Sequence, residues 1–202
     1  MDIDNICKAM NFYKALGFEE IQVPWIVPRD VTKSTCPDDA FIMQTVGGDL
    51  VGSGEQGFVD LARRGLLPNG RLVTNTPCFR NEADEDYFHQ KYFMKVELFS
   101  QATDLHNELE VMSKMALDLF QTLKGKYTDR HQVIYNSFKR IETEEGYDIV
   151  MPVDGFEVEV GSYGIRSFED IWWVYGTGLA EPRYSRLMTK IATDLLEEDH
   201  RV

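Results

Sequence analysis

The sequence predicts an α+β fold, a mostly antiparallel β-sheet flanked by helices, on three observations. Strand-like alternation recurs in residues 71–99 and again in residues 148–175. Helical periodicity occupies separate stretches, at residues 4–17, 55–64, 104–125 and 179–196. Strands and helices do not alternate regularly, as the crossover units of a parallel sheet require.

The elements follow in order. Asp4 or Asn5 suits the cap of a first helix in which Ile6, Met10, Tyr13 and Leu16 share a face, and Gly17 suits its end. Residues 18–24 alternate as a strand stopped by Pro24. Residues 29–40, rich in Ser, Thr, Asp and Pro, read as a loop, with apolar segments at residues 41–43 and 49–51 beyond it. A short helix over residues 55–64 ends at Gly65. Residues 71–80 and 92–99 read as the arms of a long hairpin around an acid-rich turn. Asp104 caps the most regular helix, with Leu105, Leu109, Met112, Met115, Ala116, Leu119 and Leu123 on one face and Gly125 after it. Strand-like runs at residues 132–135, 148–151, 156–160 and 171–175 precede a last helix over residues 179–196. No repeat or low-complexity linker interrupts the chain, so residues 1–202 are expected to form one domain.

Composition excludes several classes of function. With 43% hydrophobic and 27% charged residues, and no apolar run approaching the ~20 residues that span a bilayer, no membrane partner is expected. The start Met1-Asp2-Ile3-Asp4 lacks the basic and apolar parts of a signal peptide, which points to the cytoplasm. Cys7, Cys36 and Cys78 have no C-x-x-C spacing and form no zinc pattern with His89, His106, His131 and His200, so they read as reduced thiols. A formal net charge of −13 disfavours a broad surface for nucleic acid. A local basic pocket for a triphosphate is compatible with that total.

Two constellations carry chemistry. Gly52-Ser53-Gly54-Glu55-Gln56-Gly57 satisfies G-x-G-x-x-G, but no acid follows in residues 71–79, where a dinucleotide site needs one for the ribose. A plain turn and a substrate loop presenting Glu55 are the other readings. The hairpin sets Arg80 and Glu82 on one arm and Lys95 and Glu97 on the other, within strands that otherwise read as buried. Such charges are either cross-strand pairs on a solvent-facing sheet or the floor of a ligand cleft, because a buried charge must be paired.

Three blocks extend the second reading. Cys78-Phe79-Arg80-Asn81-Glu82-Ala83, His89-Gln90 and Phe93-Met94-Lys95-Val96-Glu97-Leu98-Phe99 together resemble motif 2 of class II aminoacyl-tRNA synthetases, closest to the seryl type, with Lys91 and Tyr92 as two additional residues. Gly17-Phe18-Glu19-Glu20-Ile21-Gln22-Val23-Pro24 resembles motif 1, and Gly176-Thr177-Gly178-Leu179-Ala180-Glu181-Pro182-Arg183 resembles motif 3, a Gly-rich turn entering a helix. Between motifs 2 and 3, Phe156-Glu157-Val158-Glu159-Val160-Gly161-Ser162 resembles the strand ending E-x-x-S.

The resemblance implies an antiparallel catalytic core that binds ATP and Mg²⁺ and activates an amino acid or similar small carboxylic acid as an adenylate. Arg80 would hold the α-phosphate and the substrate carboxylate, a task for a planar guanidinium. Arg183 would hold the γ-phosphate and stack on adenine opposite Phe93, while Glu82 reads the adenine amino group. Glu159, with Glu97, would coordinate Mg²⁺, and Ser162 would touch phosphate or ribose. Ser53 and Glu55 stand where the family grips the substrate ammonium, with Lys95 and Glu97 beside them. Motif 1 implies a homodimer through residues 17–24. No anticodon-binding domain follows the core, and the motif 2 loop Asp84-Glu85-Asp86-Tyr87-Phe88 is acidic, so the expected acceptor is a carrier protein, another protein or a small amine rather than tRNA.

Blander roles stay open: Arg183 as an early-helix surface residue, Phe93 as core, Trp172 and Trp173 as core and pocket wall, and His89 as structural. So do a non-catalytic binding subunit and a minimal aminoacyl-tRNA synthetase.

Overall fold

The computed structural model describes residues 1–36, 42–81, 86–127, 137–153 and 155–199, the last six of them by backbone alone. In chain order the elements are α1 (Ile3–Ala15), β1 (Glu19–Glu20), β2 (Ile26–Val27), α2 (Arg29–Lys33), β3 (Gln44–Thr45), β4 (Gly48–Leu50), α3 (Gly54–Arg63), β5 (Arg71–Phe79), β6 (Tyr92–Ser100), α4 (Leu105–Lys124), β7 (Lys139–Glu142), β8 (Gly146–Val153), β9 (Phe156–Phe168), β10 (Ile171–Glu181) and α5 (Arg183–Asp199). Among the described residues, no helix is long and apolar enough to cross a membrane.

Seven strands form one sheet in the order β1-β5-β6-β10-β9-β8-β7. Every neighbouring pair is antiparallel except β1 with β5. A small sheet, β2-β4-β3, stands apart. The α+β architecture with an antiparallel sheet and flanking helices is therefore present.

Strand side chains alternate between faces, and the core divides accordingly. Val73, Leu98 and Val174 pack with α1, α4 and α5 in one cluster, whereas their chain neighbours Leu72, Phe99, Trp173 and Tyr175 pack with α3 and the small sheet in another. Arg71 pins α4 to the sheet with two bonds to Glu108, at 2.6 and 2.8 Å.

Several elements differ from expectation for local reasons. The first cap is Asp2, whose carboxylate accepts from the Asn5 amide, so α1 begins earlier and leaves Leu16 outside, exposed. The strand expected over residues 18–24 shrinks to β1, because only Glu19 and Glu20 find ladder partners, Leu72 and Val73. The loop expected over residues 29–40 holds α2 at its start, with Asp30 in the first turn and Lys33 in the last, matching the helix dipole. The strand-like run at residues 132–135 lies outside the described residues, and β7, which the alternation did not mark, forms the sheet edge against β8.

The largest difference concerns the glycines near residue 176. Gly176 and Gly178 are not a turn but part of β10, which runs unbroken in the chain to Glu181, with one register shift after Thr177. Aromatic rings need that space, since a Cβ on Gly178 would lie 2.8 Å from Tyr13 Cε2. Pro182, without an N–H, ends the ladder, and the last helix begins at Arg183 rather than residue 179.

The G-x-G-x-x-G stretch has a similar origin. A Cβ on Gly54 would come within 2.6 Å of Thr76 Cγ2, and one on Gly57 within 2.7 Å of both Pro24 O and Val23 Cβ. The glycines let α3 lie against the hairpin and the 23–24 segment. Gly57→Ala should therefore destabilise the protein: overpacking against backbone costs about 1–3 kcal/mol, more than the ~1 kcal/mol gained in helix propensity. Urea unfolding should show a lower midpoint at unchanged slope.

Candidate functional site

The second face of the large sheet is only partly covered, and its uncovered part is polar. Alternation on β6 brings Phe93, Lys95 and Glu97 to the side of Phe99, and on β9 brings Ser162 and Arg166 to the side of Phe168. The covered part is closed by aromatic stacking, with Phe58 of α3 on Phe99 at 4.9 Å and Phe99 on Trp173 at 5.9 Å. Beyond it opens a cleft of about 520 Å³, lined by Ser53, Glu55, Arg80, Phe93, Lys95, Glu159, Ser162 and Arg183 together with Gln56, Arg166, Tyr175 and others.

Its inner end is held by charge. Glu55 is 2% exposed, and both its oxygens are engaged: Trp173 Nε1 donates to Oε1 at 2.7 Å and Arg166 Nη1 to Oε2 at 2.7 Å. Burial pushes the Glu55 carboxyl above its ordinary range, and Arg166 opposes that most strongly. Arg166 also donates through Nη2 to Glu145 at 2.9 Å, and its guanidinium lies 4.1 Å from the Tyr175 ring centroid. Beside this group, Lys95 Nζ sits 2.9 Å from Glu97 Oε1, and Ser53 Oγ donates to Glu97 Oε2 at 2.7 Å. Gln56 ties the wall together, accepting from the Gly52 amide at 2.8 Å and donating to Thr35 Oγ1 and Cys36 Sγ, each at 3.0 Å.

The outer end is made by the hairpin turn and the start of α5. Arg80 Nε donates to Gly52 O at 3.2 Å, and its guanidinium lies 5.2 Å from the Phe93 ring centroid. Arg183 reaches Phe88 O at 3.4 Å through Nε and Glu159 Oε1 at 3.7 Å through Nη1. Arg186 donates to Tyr87 O at 2.8 Å, so α5 holds this segment from two points. Asp86 organises the segment by accepting from the Phe88 and His89 amides at 2.6 and 2.7 Å. The bond to the His89 ring, more than any other, holds the Asp86 carboxyl down at about 2.

Eight residues drawn from separate stretches of sequence thus share one cleft: Ser53, Glu55, Arg80, Phe93, Lys95, Glu159, Ser162 and Arg183. Glu97 is instead fully buried beneath Lys95 and Ser53. Glu82 and the acids Asp84 and Glu85 lie outside the described residues. Ser162 stands opposite Asp148 across β9 and β8, and burial holds the Asp148 carboxyl above its ordinary range. Among the described residues no cluster of three His, Cys, Asp or Glu forms a metal cage.

The sequence did not mark Arg166 or Gln56 as site residues, and it marked Trp173 only as core or pocket wall, whereas its indole anchors Glu55. Arg166 shares strand parity with Ser162, but what it meets depends on elements more than a hundred residues away. The cations lining the cleft are Arg80, Lys95, Arg166 and Arg183 and the lining acids are Glu55 and Glu159, while Glu97 beneath Lys95 and Glu145 beside Arg166 balance the inner end. At the outer end Arg80 and Arg183 outnumber Glu159 among the lining residues, and low-dielectric walls concentrate such a field on an anionic ligand.

No family model matches the sequence, and no curated protein is similar to it by sequence. Solved structures are similar in fold. One is a seryl-tRNA synthetase from Pyrococcus horikoshii complexed with ATP, with a TM-score of 0.71 and 20% identity over 93% of this chain and 49% of that one. Another is a pyrrolysyl-tRNA synthetase from Desulfitobacterium hafniense, with a TM-score of 0.62 and 15% identity over 93% of this chain and 69% of that one. The chain spans about half the length of the seryl enzyme. Its fold is that of the class II synthetase catalytic core.

The three thiols report on this geometry. Cys7 is exposed, Cys36 half-buried at the cleft wall, and Cys78 fully buried. Burial pushes the Cys78 thiol up to about 12 and also raises Cys36. Because the thiolate is the reactive form, a disulfide reagent at pH 8 should label Cys7 first, Cys36 more slowly, and Cys78 only in denaturant. Fast labelling of Cys78 in the folded protein would contradict the burial described.

Proposed function

We propose that this chain binds ATP in the cleft and activates an amino acid, or a similar small carboxylic acid, as an adenylate. The observation that carries the reading is the convergence on one cleft of residues from motif 2, motif 3, the 156–162 strand and the 52–57 stretch. In the reaction a carboxylate oxygen of the substrate attacks the α-phosphorus of ATP, the bond from that phosphorus to the bridging oxygen breaks, and pyrophosphate leaves. No protein nucleophile is needed, so catalysis rests on positioning and on stabilising charge at the transferring phosphoryl group.

Arg80, beside Phe93 and near the mouth, is the group we assign to the α-phosphate and the substrate carboxylate, where a planar fork of donors suits both anions. Arg183, at the first turn of α5, is assigned to the γ-phosphate, and Phe93 to the adenine face. Ser162 is assigned to phosphate or ribose, and Glu82 to the adenine amino group. Glu55 and Ser53, with Lys95 and the underlying Glu97, form the substrate end.

Glu159 fits a Mg²⁺ role, since it is a half-exposed carboxylate on the cleft wall next to Arg183. Such an ion takes one or two carboxylates and completes its shell with phosphate oxygens and water, so a protein cage is not required. When bound it would neutralise phosphate charge. Glu97 is buried away from the cleft surface and fits better as the partner of Lys95 than as a metal ligand.

For the acceptor we favour a carrier protein, another protein or a small amine, because the sequence of the motif 2 loop is acidic and would repel a tRNA backbone. We also propose a homodimer through residues 17–24. β1 is an edge strand of the large sheet, and Trp25 and Ile26 just beyond it are exposed, at 56% and 46%. An uncovered edge beside apolar surface invites pairing with another chain.

Pyrophosphate exchange into ATP across a panel of amino acids tests the activity. Exchange with at least one is expected, and Arg80→Ala should lower it by about 100- to 1000-fold, the usual loss for a transition-state donor. Failure of every amino acid, with no ATP binding in equilibrium dialysis, would sink the proposal, while exchange indifferent to the substitution would sink the site. Light scattering should return the mass of a dimer, and a strict monomer would refute the edge-pairing interface.

A further inference from the structure

The inner end of the cleft has one group that adenylation by itself does not require. Arg166 lines the cleft with its side chain 28% exposed, while the acid it pairs with, Glu55, is 3% exposed by the same measure. Its guanidinium gives one N–H to each of two different carboxylates, through Nη1 to Glu55 and through Nη2 to Glu145. A guanidinium has five N–H donors in one plane. Three therefore stay uncommitted, with the face of the group braced on Tyr175.

The partners are themselves held, so the fork is fixed before a ligand arrives. Trp173 Nε1 anchors Glu55 at 2.7 Å, and Tyr175 Oη donates to Glu145 at 2.8 Å. Gly164 makes room for the second arrangement, since a Cβ there would lie 2.7 Å from Tyr175 Oη. Lys95 acts on the same Glu55 electrostatically, which places a second cation at this end of the cleft.

Side-chain classes fare differently against such a fork. A cationic side chain that approaches Glu55 meets the Arg166 guanidinium, which already occupies one oxygen of Glu55 and one of Glu145. An apolar side chain expels water from N–H groups and gives them no acceptor, which leaves buried donors unsatisfied. A carboxamide offers one acceptor but turns its NH₂ towards other donors. A carboxylate accepts two parallel bonds, the geometry a guanidinium favours.

We infer that the acid activated here is a dicarboxylic amino acid, its second carboxylate held by Arg166, which is the specificity-determining residue of the cleft. The inference rests on the adenylation reading above and adds the substrate class to it. The α-carboxylate goes to Arg80, the α-ammonium to the remaining lone pairs of Glu55, and the side-chain carboxylate to the uncommitted N–H groups of Arg166.

The experiment compares pyrophosphate exchange with aspartate, glutamate, asparagine, glutamine, serine and lysine, for the wild type and for Arg166→Lys, which keeps the charge and loses the fork. Circular dichroism and ATP binding by equilibrium dialysis report whether the variant folds. The wild type should favour aspartate or glutamate over its own carboxamide by about 100-fold or more in kcat/KM, since a site built to bond a polar group rejects the analogue that cannot answer it. Arg166→Lys should raise KM for the acid by about 10-fold or more, leave KM for ATP unchanged, and narrow the preference for acid over carboxamide. Preference for a neutral or basic amino acid, or an equal loss on acid and carboxamide, would overturn the inference. A second measurement separates its failure from failure of adenylation: calorimetric titration of aspartate and glutamate into protein holding a non-hydrolysable ATP analogue. Dicarboxylate binding that Arg166→Lys weakens supports the recognition site even where exchange is absent, and no binding of either acid to the wild type overturns it.

Discussion

A sheet has two faces, and in this chain only one is fully covered by helices. Three helices close the first face with apolar side chains, while α3 and the small sheet close part of the second. The rest of that second face must be polar enough to meet water or a ligand, yet it is deep enough that an isolated charge there costs several kcal/mol. Pairing resolves the conflict. Lys95 lies on Glu97, and Arg166 bridges Glu55 and Glu145, so the floor carries charge without leaving any of these five groups uncompensated. Removing Arg166 or Lys95 would leave Glu55 or Glu97 as a buried ion without its cation, which is why these residues hold the cleft's shape as much as its chemistry.

The same constraint orders the outer end. Arg183 is the first residue of α5, and α5 begins where it does because Pro182 stops β10. Just before it, Glu181 is fully buried, and it accepts from Asn5 Nδ2 at 2.9 Å, Ser185 Oγ at 2.6 Å and the Asp2 amide at 3.3 Å. The start of α1 is thereby tied to the junction that aims Arg183 into the cleft. The hairpin turn is tied to the same helix through Arg183 and Arg186. The start of α1, the start of α5 and the 87–88 segment meet at one rim.

Much of this was legible because it is local. The Arg80 and Lys95 positions stand out as charges on alternating strands, and the helix over residues 105–124 is marked by its cap, its apolar face and Gly125. The stretch of glycines at residues 176–178 misled for an equally local reason. Glycine suits a turn and suits a strand that an aromatic ring approaches, and only the position of Tyr13 and Tyr163 distinguishes the two. The glycines of residues 52–57 likewise have a packing reason, since Val23, Pro24 and Thr76 crowd Gly54 and Gly57 of α3.

The sequence by itself determined which faces its strands and helices present, because side-chain direction repeats every two residues in a strand and every 3.6 in a helix. It also determined that charged residues fall on a face otherwise suited to burial. Which charges meet was decided by tertiary structure alone. Trp173 and Arg166 are register partners across β10 and β9, and both reach Glu55, which lies 118 and 111 residues away in the chain. Register and crossing between distant segments depend on how the whole sheet closes, a cost and a choice spread over many contacts. No local period records it, and so the buried Glu55–Arg166 pair became visible only when the strands were laid side by side.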